Sequence, residues 1–534
     1  MKKVITMLCI LFLANGLFAQ SLIDKVEVIQ GPIKKQSMKY VFIYGKFLGS
    51  DGSNIYGKVY PTARMVSGTT GSTEVKLFSV DKNLKPSEGV TQDNEIEKKD
   101  SWDEFNVMLG GKQYVFYSFQ NQKLRKSILF ARRVNNKSLL QEGEPKVVAE
   151  VDYSKSNKYK TATFDYSLSP DSTKLLISYG LLNKERMLVG FGFNVLNNDM
   201  DILWGKENEL PSTANKVYGL EKYCLNNDGE VFLLCKIFDT KKDFKNSIRY
   251  KSRFLKGADA VEVPNFSYTV FSYRDKGNDN KENKLELSGQ FIRALTIQCA
   301  PSGGVVCAGL YAEKESLSAI GSCSFVIPET GDVKVSHSEF DTELLVKGMK
   351  KGDAEDVRSA ISDKTEFEEC LYTFPDLVFR SDGGFWMAGE QTKSNIKSTN
   401  NGTTQTFYSN SVYVSSFAAD GSIVWTNKLY KEQKTTSYYF VFSSIKLHAI
   451  DNNLFILYNN IVTNAMGGIS FGKTKALLTE YTEKGTETSR ELAGISKSDM
   501  VIFPSYALST DPYSLYTLGQ DGLKYCFIKL RFKK

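Results

Sequence analysis

Nucleophilic and metal-dependent catalysis both lean on histidine, and this chain contains only two, His337 and His448. The run Gly468-Ile469-Ser470-Phe471-Gly472 spells the G-x-S-x-G of a nucleophile elbow. An elbow needs a strand before the serine, a helix after it and a histidine later in the chain. Both histidines precede Ser470, and the residues from Ala476 onward read as a strand. Ser470 is therefore not read as a nucleophile. No GxxxxGK[ST], HExxH or strand-linked GxGxxG is present either.

Seven cysteines follow the N-terminal segment: Cys224, Cys235, Cys299, Cys307, Cys323, Cys370 and Cys526. None forms CxxC, and two distant histidines cannot complete a zinc cluster. An odd number leaves at least one free or paired between chains. Cys299 and Cys307 flank Ala-Pro-Ser-Gly-Gly-Val-Val. A turn at Ser302 to Gly304 would set the two opposite each other, so a disulfide is one expectation and small buried strand residues the other. Asp275 to Asn283 lacks the aspartate spacing and distal glutamate of a calcium loop, and reads as a hairpin tip. The polar stretch Thr392 to Thr406 gets the same reading. No catalytic, cofactor-binding or metal-binding residue is assigned, although carboxylates are plentiful enough for acid–base chemistry on a polysaccharide.

The elements that would position any site come from an internal repeat. One segment is a strand, a polar turn and a strongly apolar strand: YSLSPDSTKLLISYG from Tyr166, YCLNNDGEVFLLCKI from Tyr223, IQCAPSGGVVCAGLY from Ile297 and LVFRSDGGFWMAGE from Leu377. Weaker copies begin at Leu447 and Tyr506, and earlier ones at Ser37 and Gly110. Asp-Gly, Asn-Asn, Pro-Asp and Ser-Gly supply the tight turns. The strand after the turn is apolar on both faces, as in Val231-Phe232-Leu233-Leu234, which predicts burial between stacked sheets.

A second segment alternates with the first, best seen from Val189 to Trp204 and from Val412 to Trp425, where Asp199 and Asp420 precede the tryptophans by five positions. Looser copies begin at Val75, Ile128, Arg249, Cys323 and Ala476, with a half copy from Tyr525. Trp204 and Trp425 are expected to pack between repeats, and Trp102 and Trp386 to be structural too. The apolar strands start near residues 41, 114, 175, 231, 305, 385, 454 and 515, about every 68 residues. Each pair of segments holds the four strands of a propeller blade. The expected fold is an all-β propeller of seven or eight four-stranded blades, with Tyr525 to Phe532 pairing near Lys25 to Gln30 to close the ring.

These signatures resemble secreted bacterial β-propeller repeats of the pyrroloquinoline-quinone and TolB types. The resemblance implies fold and no chemistry. The tryptophan survives in two copies only, so no quinone site and no cofactor are carried over.

The chain opens with Lys2 and Lys3, an apolar stretch from Val4 to Leu13 and a small residue at Ala19. That pattern predicts a signal peptide over 1–19, a propeller domain over 20–534, and a periplasmic or extracellular product. Loss of Lys2 and Lys3 takes the net charge from +7 to +5, too diffuse for nucleic-acid binding. No later run is long and apolar enough to span a membrane as a helix. Ala354, Val357, Ala360 and Ile361 fall at helical spacing within Glu339 to Cys370, predicting a short helical insertion. The function expected is an exported, non-enzymatic binding or scaffold protein engaging a protein, peptide or glycan at the cell envelope. The alternative is a secreted polysaccharide hydrolase or lyase using funnel carboxylates or tyrosines.

Overall fold

A blade starts at its turn. In the fourth, the Asn226 side chain accepts from the backbone N–H groups of Asp228 and Glu230 at 3.1 and 2.8 Å, and Gly229 takes φ 90°. Glycine adopts that left-handed conformation without a steric penalty, which reverses the chain tightly. The strand that follows, Val231–Phe238, is buried at every position.

The computed structural model describes residues 22–533 apart from 37–39, 62–74, 93–94, 97–98, 122, 124, 153–160, 184–186, 211–215, 248–264, 314–315, 317, 369, 400–401, 465–467 and 497–499. The expected leader and the repeat copy from Arg249 lie outside the described residues. Among the described residues the strands form eight antiparallel blades, each meandering outward from the axis. Blade 1 is Tyr40–Ser50, Ile55–Pro61, Val75–Val80 and Val90–Gln92, and blade 2 is Trp102–Leu109, Lys112–Asn121, Lys126–Val134 and Gln141–Asp152. Blade 3 is Thr161–Leu168, Leu175–Leu182, Leu188–Leu196 and Ile202–Glu209, and blade 4 is Val217–Leu225, Val231–Phe238, Ser267–Arg274 and Asp279–Leu285. Blade 5 is Phe291–Cys299, Val305–Ala312, Gly321–Ile327 and Lys334–Glu339. Blade 6 has a divided innermost strand, Leu371–Thr373 and Val378–Phe379, then Phe385–Thr399, Gly402–Phe417 and Ile423–Leu429. Blade 7 is Lys446–Ile450, Asn453–Asn460, Lys475–Tyr481 and Glu487–Glu491.

Blade 8 takes its inner strands from the C-terminal end of the chain (Val501–Ile502, Leu508–Asp511, Ser514–Asp521 and Lys524–Phe532) and its outermost strand, Val26–Gln30, from the N-terminal end. Val26 pairs with Phe532 and Gln30 with Ile528, so the two ends of the chain share one sheet, as the sequence predicts. This pairing covers an edge that would otherwise be open.

Successive side chains of a strand point to opposite faces, and the ring uses both. Leu175 and Ile177 pack with Phe116 and Leu129 of blade 2, while Leu176 between them packs with Leu233 of blade 4. Phe455 and Leu457 face Leu515 and Ile528 of blade 8, and Leu454 and Ile456 face Trp386 and Val412 of blade 6. One such apolar cluster lies at every blade junction, including the closing one, where Val59 and Phe78 meet Leu518 and Phe527. The core is thus distributed around the ring, which explains the doubly apolar strands.

Four readings of the sequence need correction. In blade 1 the strand Tyr40–Ser50 is innermost and Ile55–Pro61 takes the sandwiched place; in the seven other blades the apolar strand is the second. Asp275 to Asn283 is only partly a hairpin tip, because Asp279 onward pairs with Ser267–Arg274 as the outer strand of blade 4, where polar residues can face water. Thr392 to Thr406 extends the Phe385–Phe417 hairpin, with Lys393 opposite Tyr408 and Ile396 opposite Gln405; its threonines suit a strand. Cys299 sits opposite Val305 and Cys307 opposite Ile297, so the two cysteines are not cross-strand partners.

The insertion between blades 5 and 6 forms helices Thr342–Val346 and Lys351–Ser362, the first capped by Asp341, whose carboxylate accepts from the Leu344 N–H at 2.6 Å. Ala354 is buried, and Ile361 packs on the blade 5–6 cluster. Helical turns also occur at 241–247 and at Ala493–Ser496, beyond the insertion that the sequence marks.

Candidate functional site

Innermost strands carry the side chains that face the axis. Asp165 comes from blade 3, Lys222 from blade 4, Asp376 from the break in the innermost strand of blade 6, and Lys446 from blade 7. Lys222 Nζ lies 2.8 Å from Asp376 Oδ1 and 3.4 Å from Thr296 Oγ1 of blade 5. The negative charge of Asp376 also acts on Tyr166 of blade 3 and on Lys446, and that of Asp165 acts on Lys46 of blade 1. Residues of non-adjacent blades come this close only where all blades converge. Lys46, Asp165, Lys222, Asp376 and Lys446 therefore form a ring of mixed charge about the axis.

A cavity of about 550 Å³ opens among these groups, lined by Asp165, Tyr166, Lys222, Tyr223, Gln298 and Asp376. Its volume is in the range that holds small ligands. The Tyr166 ring is held against Phe105 of blade 2, with centroids 4.6 Å apart. Two lining residues each bury a polar atom without a hydrogen-bond partner and without accessible surface, the Tyr223 hydroxyl and Gln298 Oε1. An unpaired buried polar group costs stability unless something comes to meet it. Burial, the largest influence, pushes the Tyr223 phenol well above its usual range, so it keeps its proton and can donate. Gln298 Oε1 can only accept. The wall thus offers a ligand the Lys222–Asp376 ion pair, with the two buried polar atoms behind it.

Burial holds the ammonium groups of Lys46 and Lys446 below the ordinary lysine range, and the neighbouring aspartates oppose that shift. A second cavity of about 280 Å³ shares Asp165, Ser178, Leu220 and Tyr223 with the first and runs between blades 3 and 4. Leu182, Leu188, Tyr218 and Phe244 make its far end apolar. At this junction Leu188 of blade 3 pairs with Tyr218 of blade 4, joining the two blades into one sheet.

The histidines stand apart from this site. His448 is wedged between blades 7 and 8, Nε2 donating to the Pro512 carbonyl at 2.9 Å, which leaves Nδ1 to accept from Ser509 Oγ at 2.9 Å. Burial lowers its pKa to about 4. His337 lies on the outer strand of blade 5, edge-on to Tyr311. Ser470 sits in a loop between an isolated bridge and a short 3-10 turn, without the strand–helix frame of an elbow. Trp204 and Trp425 lie near the start of the outer strands of blades 3 and 6 and donate to Gly229 O at 3.0 Å and Glu483 O at 2.8 Å in the next blades, the inter-repeat packing the sequence predicts. Among the described residues no group of three or more His, Cys, Asp or Glu is placed to hold a metal ion.

The axial residues escaped the sequence reading, yet a signal was there. Asp165, Lys222, Thr296, Asp376 and Lys446 each immediately precede the first residue of a repeat copy, at Tyr166, Tyr223, Ile297, Leu377 and Leu447. A polar or charged residue recurring at one register position, with alternating sign, marks a converging face.

No family model matches the chain, and no curated protein matches it. Among solved structures, it is similar to the Penicillium chrysogenum alpha-L-arabinanase complexed with arabinobiose at 10% identity and TM-score 0.31, over 75% of this chain and 98% of that one. The β-propeller domain of the trilobed protease from Pyrococcus furiosus aligns at 9% identity and TM-score 0.32, over 83% of this chain and 95% of that one. The Pyrococcus horikoshii acylaminoacyl peptidase aligns at 9% identity and TM-score 0.35, over 92% of this chain and 60% of that one.

Proposed function

We propose that this chain is an exported protein of the bacterial envelope that binds a short peptide, or the tail of a protein, in its axial cavity without transforming it. The observation that carries the reading is the axial cavity of about 550 Å³ walled by the Lys222–Asp376 pair, an ammonium and a carboxylate at ligand reach. The mixed charge of the ring accommodates a chain terminus of either sign. The adjoining cleft between blades 3 and 4 offers Leu182, Leu188 and Phe244 to an apolar side chain. Export is supported by the basic, then apolar, then small-residue pattern that ends at Ala19.

The test is to titrate the purified protein with a panel of oligopeptides and, in parallel, with envelope and plant polysaccharides, while following released reducing ends. Peptide binding that weakens about tenfold in Lys222→Met, as expected for one lost charge-assisted hydrogen bond, supports the reading. Preference for a polysaccharide, or turnover abolished by Asp165→Asn, overturns it in favour of a carbohydrate-active protein.

A further inference from the structure

We propose that Cys224 and Cys299 are the protein's disulfide site, fastening blade 4 to blade 5 at the wall of the axial cavity. The two residues lie on the innermost strands Val217–Leu225 and Phe291–Cys299, which run side by side. Their sulfurs are 3.0 Å apart, and both side chains line the cavity. A disulfide needs the sulfurs at about 2.05 Å, so closure asks for a movement of about 1 Å between two strand ends already in contact. The same two strands also touch two residues before Cys224 and three before Cys299, where Lys222 Nζ lies 3.4 Å from Thr296 Oγ1.

Cys307, on the second strand of blade 5, and Cys323, on the third, are buried in the same apolar cluster as Cys224 and Cys299, one and two strands further from the axis than Cys299. Cys235 faces the opposite junction, with blade 3. Cys526 is in blade 8, and Cys370 precedes blade 6.

The oxidant required is a small disulfide or a disulfide-exchanging protein. One thiolate, Cys224 Sγ or Cys299 Sγ, attacks the oxidant's S–S bond, forming a mixed disulfide and releasing one thiol. The second sulfur then displaces the remaining half. Two electrons and two protons leave the cysteines, and the oxidant is reduced to two thiols. Burial pushes the Cys299 thiol well above its usual range. Both cysteines are buried, so an oxidant reaches them while blades 4 and 5 are closing or transiently parted.

The full chain is to be incubated with oxidised glutathione during refolding, alkylated in denaturant without reduction, digested and mapped by mass spectrometry. The expected result is a linked peptide containing Cys224 and Cys299, with Cys235, Cys307, Cys323, Cys370 and Cys526 alkylated. Alkylation of both Cys224 and Cys299, or linkage of either to Cys307, overturns the proposal. The bond closes a loop between residues 75 apart, so reduction should lower the melting temperature of the wild-type chain by about 4 °C. Cys299→Ser should lose this response. A wild-type melting temperature that ignores reductant overturns the fastening role, and the peptide map decides the bond even where Cys299→Ser does not fold.

Discussion

Lys222 Nζ and Asp376 Oδ1 stand 2.8 Å apart across the axial cavity, although 154 residues separate them in sequence. The contact joins blade 4 to blade 6 over the innermost strand of blade 5. The carboxylate end is largely in water, with the Asp376 side chain 78% exposed. Exposed pairs of this kind contribute about 0–1 kcal/mol to stability. Asp376→Asn should therefore leave the melting temperature nearly unchanged and alter peptide affinity at low salt. Melting curves and titrations at two ionic strengths check this, and a large loss of stability would show that the pair holds the ring together.

The contact between Trp425 and Gly485 should be a stability hot point. Gly485 has φ 78°, and a Cβ there would lie 2.8 Å from Trp425 Cδ2. Gly485→Ala is expected to destabilise by about 1–3 kcal/mol through backbone strain and the displaced indole. Trp425→Phe should cost about 1 kcal/mol for the lost donor to Glu483 O. Urea unfolding of the two variants, ranked in that order, tests the reading of the tryptophan as an inter-blade clamp.

Acid sensitivity should be traceable to His448. Its pKa falls to about 4 in the folded chain, chiefly through burial, with Lys446 adding to the shift and the Pro512 carbonyl and Asp511 opposing it. Unfolded, it titrates near about 6.5, so between these values the unfolded chain binds the extra proton. The stability from neutral His448 is complete above about pH 6.5 and is lost as the pH falls towards 4, about 3 kcal/mol across the window. His448→Gln should flatten the stability curve between pH 6.5 and 4.5. A wild-type curve already flat there would contradict the assignment.

Lys431 and Glu390 form a buried ion pair, their side chains 3% and 7% exposed. Lys431 Nζ also donates to Gln433 Oε1 at 2.9 Å and to the Ser443 carbonyl at 3.0 Å. Burial raises the Glu390 pKa and lowers that of Lys431, in each case against the pull of the partner. Desolvation therefore takes back much of what the pair gains. Lys431→Met alone should cost about 3–5 kcal/mol by stranding the carboxylate, and adding Glu390→Gln should restore part of the loss. Denaturant melts of the single and double variants measure the coupling.

The blade unit and the ring closure were legible, and the count to seven or eight, because each rests on local chemistry repeated along the chain. Asn226 with Gly229 sets a turn within a few residues, and Val231 to Leu234 shows in its composition that both faces are covered. Trp204 and Trp425 announced their shared role by recurring at one register position. The extended hairpin at Thr392 to Thr406 did not show in the sequence because its residues are almost all polar, and no apolar–polar alternation marks its strands.

The chemistry at the axis was not legible in the same way. Asp165, Lys222 and Asp376 each look like an ordinary charged residue beside a strand, and the distances that make them a site depend on how the ring brings their blades together. The same holds for Cys224 and Cys299, which the chain keeps 75 residues apart and the packing of blade 4 on blade 5 brings to 3.0 Å. Sequence by itself determined the unit, a four-stranded sheet apolar on both faces, because turns and side-chain alternation act over a few residues. Only the tertiary structure decided which side chains meet at the centre, because closing the ring sets distances between residues that no local interaction relates.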